Sequence, residues 1–188
     1  MNGVIADVLP IAQAAKNHGG IVIAAANAHM PYTFGDAEIP IEDVDYLVHV
    51  DTPLRSPEIA PPSETSMVIG QRIAAHIGDG STLQMGIGDI PNAVLAAMLA
   101  RKELHIWTEM FSDGVLRLSQ QGALDMHVHV TASFVFGSQE LYSWLNLNSQ
   151  VRPYVNFSDS FNPPTAGNGD PYGQYGGTSH GVGAEAGV

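Results

Sequence analysis

The alternation of short apolar strands with helical patterns over residues 63–148 constrains the fold more than any other feature of the chain. "STLQM" (81–85), "HIWTEM" (105–110) and "HVHVTASFVFG" (127–137) are β-rich runs. Helical spacing precedes, separates and follows these runs, at 63–77, 91–103, 115–121 and 138–148. Strands that alternate with helices are joined by crossovers and pair in parallel. The sequence therefore predicts an α/β fold, a parallel or mixed sheet flanked by helices.

The region before residue 63 has weaker signals. Residues 2–17 read as a helix, with Pro10 as a kink or a boundary, and 21–27 and 46–50 as strands. Four prolines within 51–62 indicate an extended linker and the best candidate for a domain boundary.

The last 33 residues have a different composition. Residues 156–188 hold eight glycines, three prolines and no lysine or arginine, and they show neither helical nor strand periodicity. Such a segment has few large apolar side chains to offset the entropy of ordering. We therefore expect a disordered or poorly structured tail.

Charge and composition exclude several classes of protein. The net charge is −12, from 7 Lys and Arg against 19 Asp and Glu, so the clustered cations of a nucleic-acid binder are absent. The chain has no cysteine, which rules out disulfides, thiolate metal sites and cysteine nucleophiles. Apolar runs are far shorter than the roughly 18–20 residues of a membrane span, and the N-terminus lacks the features of a signal peptide. A cytoplasmic location is expected by default.

A glycine-rich turn lies between the first predicted strand of this pattern and its helix, in "MGIGDIPNAV" (85–94). Gly86 and Gly88 can adopt positive φ, and the following helix N-terminus offers free N–H donors. A tight turn with no ligand explains the pattern equally well. A dinucleotide-binding motif is a less favoured interpretation of this turn, because Pro91 replaces the third glycine of that motif. Glu109 does follow at about the right spacing for a ribose contact.

Glu109 is the candidate nucleophile. The predicted helix 91–103 connects two strands that should be parallel and adjacent, so their carboxyl ends meet at one edge of the sheet. Glu109 is then expected near the Gly86–Ile90 turn. A solvated glutamate at the end of a strand is the alternative.

His127 and His129 are two residues apart on a predicted strand and would share a face. Two ligands do not make a metal site, and no third ligand is placed nearby in the sequence. No metal site is predicted.

At this point the sequence resembles a known family. The string "IGDGSTLQMGIGDIPNAVLAAM…LHIWTEMFSDGV" resembles the acetyl-CoA hydrolase/transferase family of CoA-transferases, which includes the 4-hydroxybutyrate and acetate CoA-transferases. "IVIAAANAHMPYTFGDAEIPIEDVDYLVHVDTPL" upstream and "ASFVFGSQELYSWL" downstream are similar too, so the likeness covers about residues 1–155. It implies the two-domain CoA-transferase fold in part. The resemblance divides the chain into four parts. Residues 1–52 would be the end of the first domain, 53–62 a linker, 63–155 the start of the second domain and 156–188 a tail.

The resemblance also assigns roles to residues. Glu109, in the matching Thr-Glu-Met, would be the glutamate that becomes a glutamyl-CoA thioester. The turn that contacts the thioester end of CoA would be Gly86, Ile87, Gly88, Asp89 and Ile90. Coenzyme A and acyl-CoA would be substrates, with no permanently bound cofactor. The other partners would be small carboxylic acids, without nucleic acid or membrane, and either a homo-oligomer or association with missing domain segments.

The predicted function is a CoA-transferase that moves CoA between an acyl-CoA and a small carboxylic acid. An acyl-CoA hydrolase that uses the same carboxylate is the alternative among enzymes. A truncated, non-catalytic remnant or subunit is the alternative outside enzymes, and a nucleotide-binding α/β module comes third.

Overall fold

Two parallel sheets form the framework of the computed structural model, which describes residues 8–35, 38–57 and 60–153. The smaller sheet pairs β1 (Ile23–Asn27) with β2 (Tyr46–Val50) in parallel. The larger sheet has the order β3-β4-β5-β6 and every neighbouring pair is parallel; its strands are Thr82–Leu83, His105–Phe111, Val130–Val135 and Val151–Pro153. The predicted α/β class with a parallel sheet is confirmed.

The helices of the chain lie mainly between these strands. In chain order they are α1 (Val8–Asn17), a 3-10 helix (Ile41–Asp43), α2 (Glu64–Ala74), α3 (Asp89–Ala97), α4 (Asp113–Gln120) and α5 (Gln139–Leu145). The last three each connect one strand of the larger sheet to its next neighbour, so right-handed crossovers place all three on the same face. Helix α2 packs on α3, where a Cβ added to Gly70 would lie 2.6 Å from the carbonyl carbon of Ala93.

The hydrophobic core fills the space between this helical layer and the larger sheet. Alternate strand residues such as Ile106, Val130 and Ala132 belong to it, together with Leu118 and Leu141 from the helices. Their neighbours along the strands point to the opposite face, because successive side chains of a strand alternate.

Aspartates at the starts of α3 and α4 hold the starts of two other helices. The Asp89 carboxylate accepts hydrogen bonds from the N–H and hydroxyl of Ser63, the N-cap of α2. The Asp113 carboxylate accepts in the same way from the N–H and hydroxyl of Ser138, the N-cap of α5. Anionic groups are favourable at helix N-termini, so these contacts fix both helix starts relative to the sheet.

The structure corrects the boundaries predicted for α3. Helical geometry begins at Asp89, not at Pro91, which is the third residue of the helix, and it ends at Ala97. Residues 98–103 turn away because the backbone of Lys102 bonds to the 79–80 turn, through N–H to Asp79 and C=O to Gly80. A tertiary contact therefore overrides the helical propensity of this stretch.

The structure also corrects the predicted strand at 127–137. Strand β5 begins only at Val130, because His127 lies in a turn in which its N–H donates to the Asp125 carboxylate. The two histidines are therefore not a same-face pair on a strand. The prediction also missed β6. Pro10 is the third residue of α1 as described, and its role as a kink or a boundary stays a prediction because residues 1–7 lie outside the described ranges.

The smaller sheet is tied to the rest of the chain by a few polar contacts. The Gln139 side chain donates to the carbonyl of Leu54, and the Tyr142 hydroxyl donates to the carbonyl of Arg55. The segment after β1 also meets the end of α5, where the N–H of Leu147 donates to the carbonyl of Tyr32. The proline-rich segment thus packs on α5 where it is described.

Some of the predictions fall outside the described residues. The first six positions of the predicted helix 2–17 and the tail 156–188 lie there, so both remain predictions. Within the described ranges, no helix has the length and apolar character needed to span a membrane.

Candidate active site

Glu109 lies on β4, the strand that pairs with β3. Gly86 follows β3 in the chain. The register pairs Leu83 with Ile106, and two residues further on the Thr108 hydroxyl is 3.1 Å from the N–H nitrogen and 2.7 Å from the carbonyl oxygen of Met85. Continued beyond the end of β3 by one further residue, this register would bring Gly86 near Glu109. The strand does not end there but continues to Phe111.

The Glu109 side chain is partly buried and has no protein partner in the described part of the chain. It forms neither a hydrogen bond nor an ion pair with any described residue. Neighbouring positions on the strand, Thr108 and Met110, are buried. A carboxylate in this setting is partly desolvated and remains available for chemistry.

The predicted turn is exposed and lies on the way into α3. Gly86, Ile87 and Gly88 form the turn itself, while Asp89 and Ile90 already belong to the helix. The φ angle of Gly88 is 121°, a value that residues other than glycine rarely adopt. The glycine at this position is therefore required by the backbone path into the helix.

Five consecutive N–H groups of this segment have no hydrogen-bond acceptor among the described residues. They belong to Gly86, Ile87, Gly88, Asp89 and Ile90. The first N–H groups of a helix lack partners inside the helix, and they carry its partial positive charge. This cluster can bind a carbonyl oxygen or an oxyanion without any cationic side chain.

The Asp89 side chain is already engaged inside the protein. Hydrogen bonds from the Ser66 hydroxyl, and then from Ser63, hold the pKa of the Asp89 carboxyl below its usual value. The carboxylate thus serves the α2 N-terminus. We therefore expect Asp89 to contact a ligand through its backbone N–H.

Ser133 is the polar neighbour of Glu109 on β5. The register pairs Thr108 with Ala132 and Met110 with Phe134, so Glu109 and Ser133 share the position between these pairs. Ser133 is 1% exposed, and its hydroxyl has no hydrogen-bond partner among the described residues.

A cleft of about 810 Å³ opens at the same edge of the sheet. It lies between the proline-rich segment, the start of α3 and the start of α4, and its lining includes Ile87, Gly88 and Asp89 of the predicted turn. Arg117 and Phe136 line it as well. Gly86, Ile90 and Glu109 are not among the lining residues, so the structure joins the cleft to only part of the predicted site.

The histidines at 127 and 129 do not form a metal centre with other described residues. No group of three or more His, Asp or Glu residues that could hold a metal ion occurs in the described ranges. Burial, and then the charge of Arg152, lowers the pKa of His129. That imidazole is therefore favoured in its neutral form.

Sequence reasoning missed Arg117, Asp113 and Ser133 as parts of this region. Asp113 had a detectable signal, since "SDG" directly follows the predicted strand. Arg117 and Ser133 had none, because a helical arginine and a strand serine are ordinary residues until the fold shows what surrounds them.

Comparison with known proteins identifies relatives. No protein-family profile matches the chain. The chain is 39% identical over 153 residues to the 4-hydroxybutyrate coenzyme A transferase of Clostridium kluyveri, covering 77% of this chain and 34% of that protein. It is 37% identical over 146 residues to the succinyl-CoA:cyclohexane-1-carboxylate CoA transferase of Geobacter metallireducens, covering 72% and 33%.

A solved structure shows the same likeness. The crystal structure of 4-hydroxybutyrate CoA-transferase from Porphyromonas gingivalis matches with a TM-score of 0.67 and 39% identity, over 71% of this chain and 36% of that one. The chain thus spans about one third of the length of the curated relatives it matches. Over the matched part, which is about three quarters of its residues, the chain belongs to the CoA-transferase family.

Proposed function

We propose that this chain carries the nucleophile and the thioester-binding turn of a CoA-transferase, an enzyme that moves CoA between an acyl-CoA and a small carboxylic acid. The observation that supports the proposal is the parallel pairing of β3 with β4 together with the contact of the Thr108 hydroxyl with Met85, from which we infer that Gly86 lies near Glu109. A carboxylate and a row of N–H groups, none with a partner among the described residues, then lie at one edge of a parallel sheet, where α/β folds bind their ligands. The names of the relatives supply the reaction class.

The proposed reaction begins with attack of a Glu109 oxygen on the acyl carbon of the acyl-CoA. The C–S bond breaks, CoA leaves as the thiolate, and a mixed anhydride remains on Glu109. The thiolate then attacks the glutamyl carbonyl carbon, the anhydride C–O bond breaks, and the donor acid leaves as a carboxylate. Glu109 now carries CoA as a thioester, and an acceptor carboxylate reverses the two steps.

The Gly86–Ile90 segment has the chemistry that each step requires. Every attack passes through a tetrahedral intermediate with a negative oxygen, and N–H donors aimed at that oxygen stabilise the transition state. Five N–H groups that have no acceptor among the described residues lie in this segment. Because one thioester is exchanged for another of similar energy, the scheme needs no ATP.

The class of acid is proposed from the relatives. Their names specify 4-hydroxybutyrate and cyclohexane-1-carboxylate, both carboxylic acids of modest size. We assign the acceptor to the same class. The absence of a permanently bound cofactor and the cytoplasmic location are retained as predictions.

Acyl-CoA hydrolysis through the same carboxylate is the second candidate, and the partial exposure of Glu109 favours it. Water that reaches a glutamyl thioester cleaves it and releases free CoA. A transferase has to exclude water until the acceptor acid arrives. The ratio of exchange to hydrolysis therefore measures how well the site is closed.

Association with another polypeptide is part of the proposal. Several large apolar side chains of the smaller sheet are exposed, among them Ile23, Tyr46, Leu47 and Val48. Parallel sheets are usually covered on both faces. A second copy of the chain or separate domain segments would supply such cover, and a sedimentation measurement distinguishes a monomer from either assembly.

The test of the function is isotope exchange between labelled acetate and an acyl-CoA. Glu109→Gln keeps the shape of the side chain but cannot form the anhydride or the thioester, so we expect exchange to fall to background. Loss of a group that only supports the reaction electrostatically costs about 10²–10³-fold and leaves a measurable rate. The control is Glu42→Gln, which neutralises an exposed glutamate of the 3-10 helix and should leave exchange unchanged. An active protein that keeps a tenth of its rate in Glu109→Gln would contradict the proposed nucleophile.

A further inference from the structure

Two polar side chains without partners among the described residues lie at neighbouring positions of β4 and β5. Glu109 and Ser133 both lie between the register pairs Thr108–Ala132 and Met110–Phe134. Neither has a hydrogen-bond partner among the described residues. Parallel strands lie about 4.8 Å apart, and in-register side chains project to the same face.

The Ser133 hydroxyl is the more unusual of the two groups. It is 1% exposed, so water does not satisfy it, and a buried hydroxyl without a hydrogen bond costs free energy that an alanine at the same place would not cost. Such a group calls for an explanation, and one explanation is a partner that the working state supplies. By register, Glu109 is a neighbouring side chain whose acceptor oxygens have no partner among the described residues.

We propose that Ser133 is a positioning residue for Glu109. A rotation of the glutamate side chain lets the Ser133 hydroxyl donate to one carboxylate oxygen, which leaves the other oxygen free to attack the acyl carbon. The bond fixes the direction of attack, and misplacement of a reacting atom by about 1 Å can cost about 10²-fold in rate. This inference rests on the proposed function of Glu109, because a positioned nucleophile matters only if Glu109 reacts.

The proposal predicts that Ser133→Ala lowers the reactivity of Glu109 without lowering the stability of the fold. In Ser133→Ala the unsatisfied hydroxyl is removed from the resting fold, so the thermal midpoint should stay the same or rise. The rate at which acetyl-CoA forms an adduct on Glu109 should fall about 10- to 100-fold, the range for a lost hydrogen bond to a charged group. Ser133→Thr keeps the hydroxyl and should retain most of the rate.

Thr33→Val is the matched control. Thr33 is 2% exposed, and its hydroxyl also lacks a partner among the described residues, but it lies between β1 and the 3-10 helix. Its replacement should affect stability in the same direction as Ser133→Ala and leave the adduct rate unchanged. A drop in the thermal midpoint of Ser133→Ala would show a structural role and overturn the proposal.

An infrared measurement tests the hydrogen bond without relying on turnover. The spectra are recorded with a non-reactive analogue of acetyl-CoA bound, the state in which the hydrogen bond is proposed to form. The carboxylate band of Glu109 is isolated by subtracting the spectrum of Glu109→Gln from that of the wild type, and again in the Ser133→Ala background. We expect the band to move in Ser133→Ala and to stay in place in Thr33→Val. An unmoved band, or equal adduct rates in wild type and Ser133→Ala, overturns the role of Ser133. A moved band with no adduct in the wild type contradicts the proposed function of the chain instead.

Discussion

The two parallel sheets of this chain are built from similar apolar strands but differ in how well they are covered. On β4, Trp107 and Phe111 are each 1% exposed, whereas on β2 Tyr46, Leu47 and Val48 are 44–61% exposed. The difference follows from topology. Three crossover helices cover one face of the larger sheet, whereas the smaller sheet has two strands and no comparable layer in the described ranges. A strand's apolar composition thus predicts that it will be buried but not which residues bury it.

Replacing a leucine by alanine in each of the two regions should give the largest difference in the free energy of unfolding. Leu141, on α5, is fully buried beneath the larger sheet, and Leu47, on β2, is 44% exposed. Leu141→Ala should lower the free energy of unfolding by about 2–5 kcal/mol, because it removes buried methyl groups and leaves a cavity. Leu47→Ala should cost under about 1 kcal/mol. Urea unfolding of both variants checks the pair, and equal losses would show that β2 is covered in solution.

A smaller effect is expected where α2 meets α3. Gly70 permits the close approach to Ala93, and an added Cβ would lie 2.6–2.8 Å from atoms of that residue. We expect Gly70→Ala to destabilise the fold by about 1–3 kcal/mol through overpacking, despite the higher helix propensity of alanine. The control is Gly78→Ala, since nothing lies within 4 Å of the added Cβ there, and it should be neutral. Thermal unfolding decides this prediction, and a stabilising Gly70→Ala would mean that the two helices pack less closely than described.

The smallest expected effects concern acid stability. Hydrogen bonds from Lys16 and then from the N–H of Val22 lower the pKa of Asp45, beside the smaller sheet. The N–H of His127, and more weakly His105, lower the pKa of Asp125, beside the larger sheet. Each folded-state pKa lies below the ordinary value of 3.8. Each carboxylate therefore stabilises the fold above that pH, and the contribution is lost as the pH falls through the folded-state pKa.

Added salt should weaken the stabilisation by Asp45 more than the stabilisation by Asp125. A surface ion pair such as Lys16–Asp45 weakens as salt screens its charges, whereas the hydrogen bond of Asp125 to a backbone N–H does not depend on a second charge. Near neutral pH, the effect of Asp45→Asn on the thermal midpoint should shrink in about 1 M salt, and that of Asp125→Asn should persist. If both effects vanish in salt, the difference assigned to the two regions is wrong.

Much of the fold could be predicted from local patterns. The parallel pairing of β3 with β4 follows from the strand–turn–helix–strand spacing and the crossover rule. The N-cap of α2 is Ser63, a residue type common at that position, and its side chain accepts from the N–H of Ser66. These features depend on residues close together in the sequence.

The remaining features depend on contacts between distant residues. Helix α3 begins at Asp89, a residue whose carboxylate bonds to Ser63, 26 positions earlier. The isolation of the Ser133 hydroxyl depends on the register of β5 against β4 and on the burial around it. Spacing in the sequence contains no signal for either feature.

The central claim is that Glu109 takes up CoA, and peptide mapping by mass spectrometry tests it most directly. The full chain is incubated with acetyl-CoA, digested under mild conditions and searched for a peptide that carries the mass of CoA. We predict the adduct on Glu109 in the wild type and in Glu42→Gln, and its complete absence in Glu109→Gln. A folded wild-type chain without any adduct, or an adduct on a different residue, would contradict the account.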